Sequence, residues 1–451
     1  MTVDRSGIKQ LLALRDELNG AIDAISASTA PFPSLDSAWT GMLPPDPNVM
    51  MATSAAKELL ALLHGEGGVL ERAMSYHIPS CMRVAIEAHV TETLREAAAA
   101  GKPALHIEEI AKSSIINPVK LARILRVLAA YHMFREVEPD TFANNRLSAV
   151  FDTGKSVEEL KSTKDFYSGS SGLPALIAHC ADDAMKCSSY LADTLFDEKT
   201  ADSYAPAEGA CSRAFNINVP IWEYWAQPGM EQYMVRFGSA MLGANVVQGG
   251  GSLLDGFPFD KLGEGATLVD VGSGAGAVSL QLAKAVPSLK LVLQDRKEVV
   301  EGPGRALWEK EFPDKLSSGS VQLVAHNFFE PQPVKGADLY FLRCIIHDWA
   351  DPESKTILSH LADAAEPSSR LVLIEQTYDY LPPNGRAMAA IPYLSDLQMM
   401  CALNAQERTE EQYKKLGAEA RWKLKKVWKT GPGGQVDGPF RHYEFELASK
   451  Q

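Results

Sequence analysis

Three glycines and one aspartate form the first group of residues whose types and spacing could support chemistry. The stretch LVDVGSGAGAVSLQLAKAVPSLKLVLQD, residues 268–295, places Gly272, Gly274 and Gly276 after a short apolar run and ends on Asp295. Glycines let the backbone approach a ligand closely, and a following helix offers free N–H donors. An acid about twenty residues later, at the end of a second strand, could accept hydrogen bonds from ribose hydroxyls. The pattern favours a nucleoside site over the alternative, a tight turn beside a solvated aspartate.

The glycine spacing narrows the class of nucleoside. The loop reads G-S-G-A-G, not GxGxxG, and no Lys-Ser/Thr pair follows it as in a triphosphate-binding loop. NAD and ATP are therefore disfavoured as ligands.

Short apolar runs alternate with helical patterns around this loop. The predicted strands are TLVDV, LKLVLQD, VQLVAHNFF, ADLYFLRCII and SRLVLIEQT. Continuous apolar strands separated by helices indicate a parallel sheet that is covered on both faces. Residues 251–451 are thus predicted to form a doubly wound α/β domain, with a helix starting at about Ala277 after the glycine loop. In such a sheet, ligands bind beyond the carboxyl ends of the strands.

The rest of the chain is predicted to be mostly helical. Residues 1–49 contain an amphipathic helix and a proline-rich connector. Residues 50–200 form a second domain, in which the part up to residue 147 reads as a winged helix with a two-stranded wing near residues 134–142. Residues 201–250 are interpreted as a helical linker that contributes aromatic side chains to a pocket.

Charge and composition limit the partners of this chain. The formal net charge is −13 over 451 residues, and the second helix of the winged-helix pattern offers only Lys120, Arg123 and Arg126. Nucleic acids and anionic membranes are bound largely through Lys and Arg contacts to phosphate, so we favour packing or dimerisation for this domain.

The cysteines and the apolar segments indicate a cellular compartment. Six cysteines occur without a CxxC pair, which is typical of a reduced protein without structural zinc. The N-terminal segment lacks the features of a signal peptide, and no uncharged apolar run is long enough to cross a membrane. We therefore expect a cytoplasmic protein without a metal site and without a membrane span.

The stretch 268–295 resembles the cofactor motif of the S-adenosylmethionine-dependent O-methyltransferases of the plant and fungal (caffeate-type, class II) kind. Three further stretches match in the expected order: HNFFEPQP, ADLYFLRCIIHDWADPESKTIL, and SRLVLIEQ followed by DLQMMCALNAQERTEEQYKKL. The winged-helix dimerisation domain of this family also fits residues 50–147. The resemblance implies a Rossmann-like methyltransferase domain behind a mostly helical dimerisation domain, S-adenosylmethionine as cofactor, and a homodimer.

The resemblance also implies roles for individual residues. The positions that it assigns to the cofactor are Gly272, Ser273 and Gly274 at the methionine part, Asp295 at the ribose, Asn327 and Phe328 at the adenine, and Arg343 nearby. It implies that His347 is the general base, with Glu375 and Glu407 as the acids that orient and support it. A sulfonium methyl is already electrophilic, so the acceptor hydroxyl mainly has to lose its proton, and histidine is suited to that near neutral pH.

The leading interpretation is an enzyme that methylates a phenolic or enolic hydroxyl of a small, polyketide-like secondary metabolite. Trp222, Met400 and Asn404 are predicted to line its substrate pocket. Two residues depart from the family pattern: Asn327 replaces a common aspartate, and Ala405 replaces a common glycine. We expect Asn327 to accept from the adenine amino group through its carbonyl oxygen, and Ala405 to affect substrate choice.

Two other functions are compatible with parts of this pattern. Some fungal proteins of this fold catalyse pericyclic or dehydrative reactions with the cofactor merely bound, but their base position is expected to be altered, whereas His347 is present here. A winged-helix regulator with a degenerate catalytic domain is disfavoured by the acidic balance and by the presence of Glu375 and Glu407. Formation of S-adenosylhomocysteine distinguishes methyl transfer from both alternatives.

Overall fold

Two compact units make up the chain. The computed structural model describes residues 6–39, 41, 46–247, 254–377, 390–430 and 440–449. The first unit, called the helical unit below, comprises Met1–Lys186, Trp222–Gly249 and Leu381–Ala390. The second, called the sheet unit, comprises Cys187–Ile221, Gly250–Tyr380 and Ile391–Gln451.

Helices account for most of the first unit and also cover the sheet of the second. In chain order they are α1 Ser6–Ala27, α2 Pro47–Met74, α3 His77–Glu87, α4 Val90–Ala99, α5 Ile107–Ile110, α6 Pro118–Ala130, α7 Val157–Ser162, α8 Leu173–His179, α9 Met185–Ser189, α10 Leu191–Leu195, α11 Ala210–Phe215, α12 Ile221–Trp225, α13 Glu231–Val247, α14 Ala277–Ala285, α15 Lys297–Val299, α16 Arg305–Glu311, α17 Pro313–Ser317, α18 Asp351–Ala364, α19 Ile391–Leu403 and α20 Glu410–Glu419. None of the described helices combines the length and the apolar character that crossing a membrane requires.

The strands form one small and one large sheet within the described residues. Their bounds are β1 Leu105–His106, β2 Arg135–Glu138, β3 Thr141–Ala143, β4 Thr267–Val271, β5 Lys290–Asp295, β6 Val321–Ala325, β7 Leu339–Arg343, β8 Arg370–Gln376, β9 Trp422–Lys429 and β10 Phe440–Leu447. The small antiparallel sheet has the order β1-β3-β2, and the large sheet has the order β6-β5-β4-β7-β8-β10-β9.

The predicted winged helix is present in the helical unit. Helix α6 begins after Asn117, whose side chain caps the first backbone N–H groups, and Pro118 occupies the first turn. Leu121, Leu125 and Leu128 then fall on one face of α6 and are buried in the core of the unit. Strands β2 and β3 form the wing, which confirms the predicted order of helix, turn, helix and hairpin.

One basic residue of α6 is paired within the wing. The Nε of Arg126 donates to Glu136 at 3.0 Å, and its guanidinium also donates to Asp140 at 2.6 Å. These two carboxylates pair Arg126 within the wing. The expectation that this domain does not bind nucleic acid stays a prediction.

The large sheet is mixed rather than purely parallel. The five predicted strands β4 to β8 are present and pair in parallel, and β5 ends at Asp295 as expected. The prediction of a parallel sheet is wrong at one edge, where β10 runs antiparallel to both β8 and β9. Strand β9 was not predicted. It reads WKLKKVWK, and its lysines obscure the apolar pattern of a strand.

Both faces of the large sheet are buried, as the continuous apolar runs predict. Adjacent residues of β4 enter different cores, with Leu268 in one cluster and Val269 in the other. The helix after the glycine loop, α14, begins at Ala277 as predicted. This packing fixes the carboxyl ends of β4 to β8, where the candidate active-site residues lie.

The unit boundaries differ from those expected from the sequence. Residues 187–221 belong to the sheet unit, although the sequence assigned residues up to 200 to the dimerisation domain and the next fifty to a linker. The side-chain amide of Asn404 donates to the carbonyl groups of Ser203 and Ala205, which ties this segment to the end of α19. Residues 222–249 belong to the helical unit, where α13 packs against α8.

Candidate active site

The glycine loop after β4 adopts a backbone that side chains would strain. Gly272, Gly274 and Gly276 have φ values of 74°, 56° and 81°, which are left-handed. A Cβ on Gly272 would lie 2.5 Å from the Cδ1 atom of Ile345, whereas a Cβ on Gly274 would meet no atom within 4 Å. The loop is therefore closely packed at Gly272 and open at Gly274.

Hydrogen bonds to the end of β5 hold this loop in place. The N–H groups of Gly272 and Ser273 donate to the carbonyl oxygen of Gln294 at 2.8 and 3.0 Å. The N–H group of Gly274 donates to the Oδ2 atom of Asp295 at 2.7 Å. The structure thus brings all four predicted loop residues together, and it gives Asp295 a further role as an anchor for the loop.

Burial and hydrogen bonding shift the pKa of Asp295 in opposite directions. Burial raises the pKa of the Asp295 carboxyl, while the N–H groups of Arg296 and Gly274 partly counter this rise. The Oδ1 atom accepts from the N–H of Arg296 at 2.7 Å. Each carboxylate oxygen keeps acceptor capacity beyond its one backbone contact.

A second acid, Asp270, lies below the loop and was missed by the sequence analysis. It is buried on β4 and accepts a 2.5 Å hydrogen bond from the hydroxyl of Ser279 on α14. Burial raises the pKa of Asp270 to about 7. The sequence does contain a signal for Asp270, which is an acid within the apolar run TLVDV. An acid in a buried strand needs a polar partner.

The predicted adenine residues follow β6. Asn327 is exposed, and its Oδ1 atom accepts from the N–H of Phe329 at 3.1 Å. Phe328 is half-buried and meets Trp349 edge-to-face at 5.8 Å between ring centroids. The Oδ1 atom of Asn327 keeps a second lone pair beyond this turn contact, so the expected acceptance from an adenine amino group stays a prediction.

Arg343 ends β7, as the sequence indicates. Its guanidinium lies 5.4 Å from the centroid of the Phe440 ring on β10, which is within the range of a cation–π contact. The side chain is therefore positioned by an aromatic ring of the neighbouring antiparallel strand.

His347 lies in a short 3₁₀ turn, Ile346–Asp348, that follows β7. Its Nδ1 atom is 3.0 Å from the Oε1 atom of Glu407 and 3.9 Å from the Oε2 atom of Glu375. Its Nε2 atom is 3.5 Å from the Oδ1 atom of Asp348. The His347 side chain is 14% exposed and both glutamates are fully buried, so the structure brings together all three predicted catalytic residues.

The two glutamates differ in what they contact. Glu407 is bonded directly to the imidazole of His347. The Oε1 atom of Glu375 instead accepts from the backbone N–H groups of Ile345 and Ile346 at 3.1 and 2.8 Å. Glu375 therefore holds the backbone that carries His347, while Glu407 orients the ring itself.

Arg408 is a further supporting residue that the sequence analysis did not identify. Its side chain is 1% exposed and donates to the carbonyl groups of Ile346 and Trp349, each at 2.8 Å. A buried arginine whose donors are directed at a loop backbone fixes that loop strongly. The motif NAQERT thus supplies a ring partner at its glutamate and a loop anchor at its arginine.

Charges in this cluster shift the proton affinity of His347. Burial acts to lower the pKa of His347, but Glu407, Asp348 and Glu375 outweigh it, and the pKa rises well above its usual value. Burial also raises the pKa of Glu375 to about 7 and that of Asp348 to about 6. Groups this close titrate together, so the proton belongs to the cluster.

The same three residues have a composition that is found in metal sites. One ligand atom each from His347, Glu375 and Glu407 lies within 4.8 Å of the others. However, the Nδ1 atom of His347 is hydrogen-bonded to Glu407 at 3.0 Å, and Glu375 commits one oxygen to the backbone N–H groups of Ile345 and Ile346. We therefore favour a proton-sharing cluster over a metal centre.

A proton-sharing cluster predicts that a metal chelator does not affect activity. Treatment of the purified protein with EDTA should leave the methyl transfer that the resemblance implies unchanged, because Glu407 is paired with the His347 ring and Glu375 with backbone N–H groups. The measurement is the rate of S-adenosylhomocysteine formation, with elemental analysis of the treated protein. Activity that disappears with EDTA and returns with Zn²⁺ would show that the cluster holds a metal.

The predicted substrate-lining residues lie in different parts of the chain. Trp222 is half-buried in the helical unit, in ring contact with Trp225 and Phe237. Met400 is half-buried on α19 of the sheet unit. Asn404 follows α19 with a left-handed φ of 55°, and its NH₂ group is committed to backbone carbonyls, so a structural role for it is visible.

Comparison with known proteins shows which family this chain resembles. Residues 189–423 match the O-methyltransferase domain, and residues 70–154 match the O-methyltransferase dimerisation domain. An O-methyltransferase of Armillaria gallica is 35% identical over 402 residues, which cover 84% of this chain and 84% of that protein. The O-methyltransferase gedA of Aspergillus terreus is 31% identical over 404 residues, with coverage of 80% and 79%.

Solved structures share the fold at low identity. OxaC in complex with SAH and oxaline has a TM-score of 0.76 at 20% identity, covering 98% of this chain and 100% of that one. A structure described as "A Pericyclic Reaction enzyme" has a TM-score of 0.71 at 20% identity, with coverage of 98% and 100%.

The mixed sheet, with the glycine loop at the carboxyl ends of its parallel strands, defines a Rossmann-like domain. The chain belongs to the O-methyltransferase family and carries the family's dimerisation domain. It is an enzyme, and its methyl donor is S-adenosylmethionine.

The residues at the carboxyl edge of the sheet fit this cofactor chemically. The backbone is open at Gly274, beside the half-buried carboxylate of Asp295, which suits a ligand with ribose hydroxyls.

Proposed function

We propose that the enzyme methylates a phenolic or enolic hydroxyl of a small, polyketide-like metabolite, with His347 as the general base. The observation that carries this proposal is the 3.0 Å contact between the His347 Nδ1 atom and Glu407 in a nearly closed environment. Fungal relatives that are named O-methyltransferases support the reaction class.

We assign separate tasks to the two imidazole nitrogens of His347. Because Nδ1 of His347 is paired with Glu407, Nε2 is the atom that accepts the proton of the acceptor hydroxyl. S-adenosylmethionine, when bound, supplies an electrophilic methyl group. Glu407 stabilises the imidazolium, and Glu375 and Arg408 hold the turn so that Nε2 keeps its place.

Isotope transfer tests this function. The enzyme is incubated with S-adenosylmethionine that carries a deuterated methyl group and with a panel of polyketide phenols and enols. We expect a product in which the label forms a methyl ether at a former hydroxyl. A labelled carbon or nitrogen position instead of an ether would contradict O-methylation.

We predict that Asp295→Ala weakens S-adenosylmethionine binding by about 1.5–3 kcal/mol, the range for a hydrogen bond to a charged group. The loss has two sources, since Asp295 is assigned to the ribose and also anchors the N–H of Gly274. Calorimetry measures the affinity. Glu298→Ala is the matched control, because this acid is three positions further on and is exposed. Unchanged affinity in folded Asp295→Ala would remove this residue from the site.

We also propose a homodimer with a largely apolar interface formed by residues before about 200. The match of residues 70–154 to the dimerisation domain supports it. Helices α1 and α2 additionally expose apolar side chains, including Ile8, Leu12, Leu63 and Leu70, at 45–64% of their surface. Large exposed apolar patches of this kind mark association surfaces.

Light scattering tests the assembly. We expect a dimer at micromolar concentration, and a shift to monomer in a Leu63→Glu, Leu70→Glu double variant, because charges would be buried in the interface. Lys57→Glu, an exposed charge change on the same helix, is the control. A monomeric wild type would refute the proposal.

A further inference from the structure

Two buried glutamine side chains of the sheet unit form a reciprocal hydrogen-bonded pair. The Nε2 atom of Gln294 on β5 donates to the Oε1 atom of Gln332 at 2.8 Å. The Nε2 atom of Gln332 donates back to the Oε1 atom of Gln294, also at 2.8 Å. Each residue is only 1% exposed, so these contacts are shielded from water. We call the two residues the glutamine pair.

Gln294 is also the residue that holds the glycine loop. Residues 291–293 of β5 are buried and apolar, and Gln294 follows them immediately before Asp295. The backbone carbonyl of Gln294 accepts from the N–H groups of Gly272 and Ser273 at 2.8 and 3.0 Å. One residue thus fixes the loop through its backbone and contacts a distant segment through its side chain.

That distant segment carries the residues assigned to the adenine. Residues 326–334 follow β6 and include Asn327 and Phe328. We call them the adenine segment. Gln332 lies near its second end, so the glutamine pair joins this segment to the strand that ends at Asp295.

The local sequence around Gln332 explains why a side chain makes this connection. It reads PQP, with Pro331 and Pro333 on either side, and neither proline has a backbone N–H group. A chain with two missing donors in three residues cannot continue the hydrogen-bond ladder of β6. The Gln332 side chain therefore replaces the backbone as the means of attachment to β5.

The adenine segment is joined to the end of β5 at both of its ends. At the first end, the N–H of His326 donates to the carbonyl oxygen of Asp295 at 2.9 Å. At the second end, the glutamine pair makes the connection, and the Oε1 atom of Gln332 also accepts from the N–H of Val334 at 3.0 Å. The segment therefore forms a loop whose two ends are both held at β5.

Filling space in the core does not require amides at these two positions. Buried amides cost free energy unless they are partnered, whereas two apolar side chains of similar size would need no partners. Two reciprocal N–H···O bonds add a fixed distance and a fixed orientation between the segments that carry them. This property suits a contact that has to set the position of one binding segment relative to another.

We propose that the glutamine pair positions the adenine segment relative to Asp295, so that the nucleoside part of the cofactor meets a preformed site. A preformed site binds more tightly because less ordering is needed when the ligand arrives. Gln294 and Gln332 are positioning residues in this account. The inference rests on the proposed assignment of Asp295, Asn327 and Phe328 to the cofactor.

Two single variants of the full-length enzyme test the proposal. Methionine has nearly the length of glutamine and lacks its amide, so Gln294→Met and Gln332→Met each break the pair. We expect both variants to bind S-adenosylhomocysteine and adenosine about 5- to 30-fold more weakly, the effect of one or two net hydrogen bonds. Calorimetry measures both ligands, and Gln322→Met, at an exposed position of β6, should bind like the wild type.

The pattern of losses decides between the pair and other causes. Gln294→Met leaves the contact between Gln332 and Val334 in place, so a loss confined to Gln332→Met would show that this contact matters instead of the pair. A loss for S-adenosylhomocysteine without a loss for adenosine would show that the effect lies at the methionine part. Either result, or unchanged affinity in both folded variants, would overturn the proposal.

The double variant Gln294→Met, Gln332→Met separates positioning from stability. Each single variant leaves one buried amide without its partner, whereas the double variant removes both amides, so its free energy of unfolding should recover towards the wild-type value. We expect its affinity for S-adenosylhomocysteine to stay as low as in either single variant, because one shared contact is lost only once. Affinity that recovers together with stability, or losses that add, would refute a positioning role. This comparison also holds if the single variants fail to fold.

Kinetics provide a readout that a general structural defect would not give. With any panel phenol that the enzyme methylates, the variants should raise the KM for S-adenosylmethionine by the same factor and change kcat little, because His347 and Glu407 are untouched. A fall in kcat without a rise in KM would contradict the proposal. The binding measurements need no acceptor, so they stand even if O-methylation of phenols and enols is refuted.

Discussion

Replacing His347 by alanine should lower turnover by roughly 10²–10⁴-fold, the usual contribution of a positioned base. Binding of S-adenosylmethionine should stay nearly intact, because the residues assigned to the cofactor lie in the glycine loop, at the ends of β5 and β7 and after β6, and do not include His347. Turnover is measured as S-adenosylhomocysteine formation, and affinity is measured by calorimetry on the same preparation.

Two controls make the His347 result specific. Raising the pH should partly restore the alanine variant with an acidic phenol, because solvent then supplies the phenolate. His106→Ala, an exposed histidine of the small sheet, should keep wild-type activity. Full turnover in folded His347→Ala would refute the role of His347 as the base.

Glu407→Gln is expected to have the second largest effect, a loss of roughly 10- to 150-fold in kcat. This range corresponds to about 1.5–3 kcal/mol for a hydrogen bond to a charged group. The matched variant is Glu375→Gln, whose amide oxygen can still accept from the N–H groups of Ile345 and Ile346. We expect this second variant to lose less, because its nearest contact with the His347 ring is 3.9 Å.

The pH profile gives an independent readout of the same pair. Burial would lower the pKa of His347, but Glu407 and its neighbours raise it well above the usual value. The base must be neutral to act, so kcat/KM should rise with pH through that raised pKa. Removing the Glu407 charge should move this acidic limb to lower pH while the maximum falls. A limb that stays in place would show that Glu407 does not control the protonation of His347.

Local patterns predicted the parts of the fold that depend on neighbours in sequence. The strand that ends at Asp295 and the helix that begins at Ala277 were predictable because apolar runs and glycines specify them within a few residues. The edge strand β9 was not predictable, because its lysines face solvent at the end of the sheet and leave little apolar pattern.

The candidate site was also predictable only in part. His347, Glu375 and Glu407 were identified through their motifs, but the motifs do not contain the distances that separate a ring partner from a backbone anchor. Those distances arise from packing between segments that lie 28 to 60 positions apart in sequence. Arg408 was overlooked for the same reason, since its partners are backbone carbonyls of a distant loop.

The aromatic segment near Trp222 was predicted to contribute to a pocket. In the structure its rings also pack on one another, as core residues do. The sequence pattern does not separate these two roles, because both place aromatic residues at similar spacing.

The stoichiometry of S-adenosylhomocysteine to product tests the central claim most directly. The wild-type enzyme is assayed with its best phenol from the panel, once with S-adenosylmethionine and once with a non-transferable sulfonium analogue. Methyl transfer predicts one S-adenosylhomocysteine for each product molecule, a product heavier by one methylene unit, and no turnover with the analogue. A product of unchanged mass, formed without S-adenosylhomocysteine and at the same rate with the analogue, would contradict it and show pericyclic chemistry on this fold.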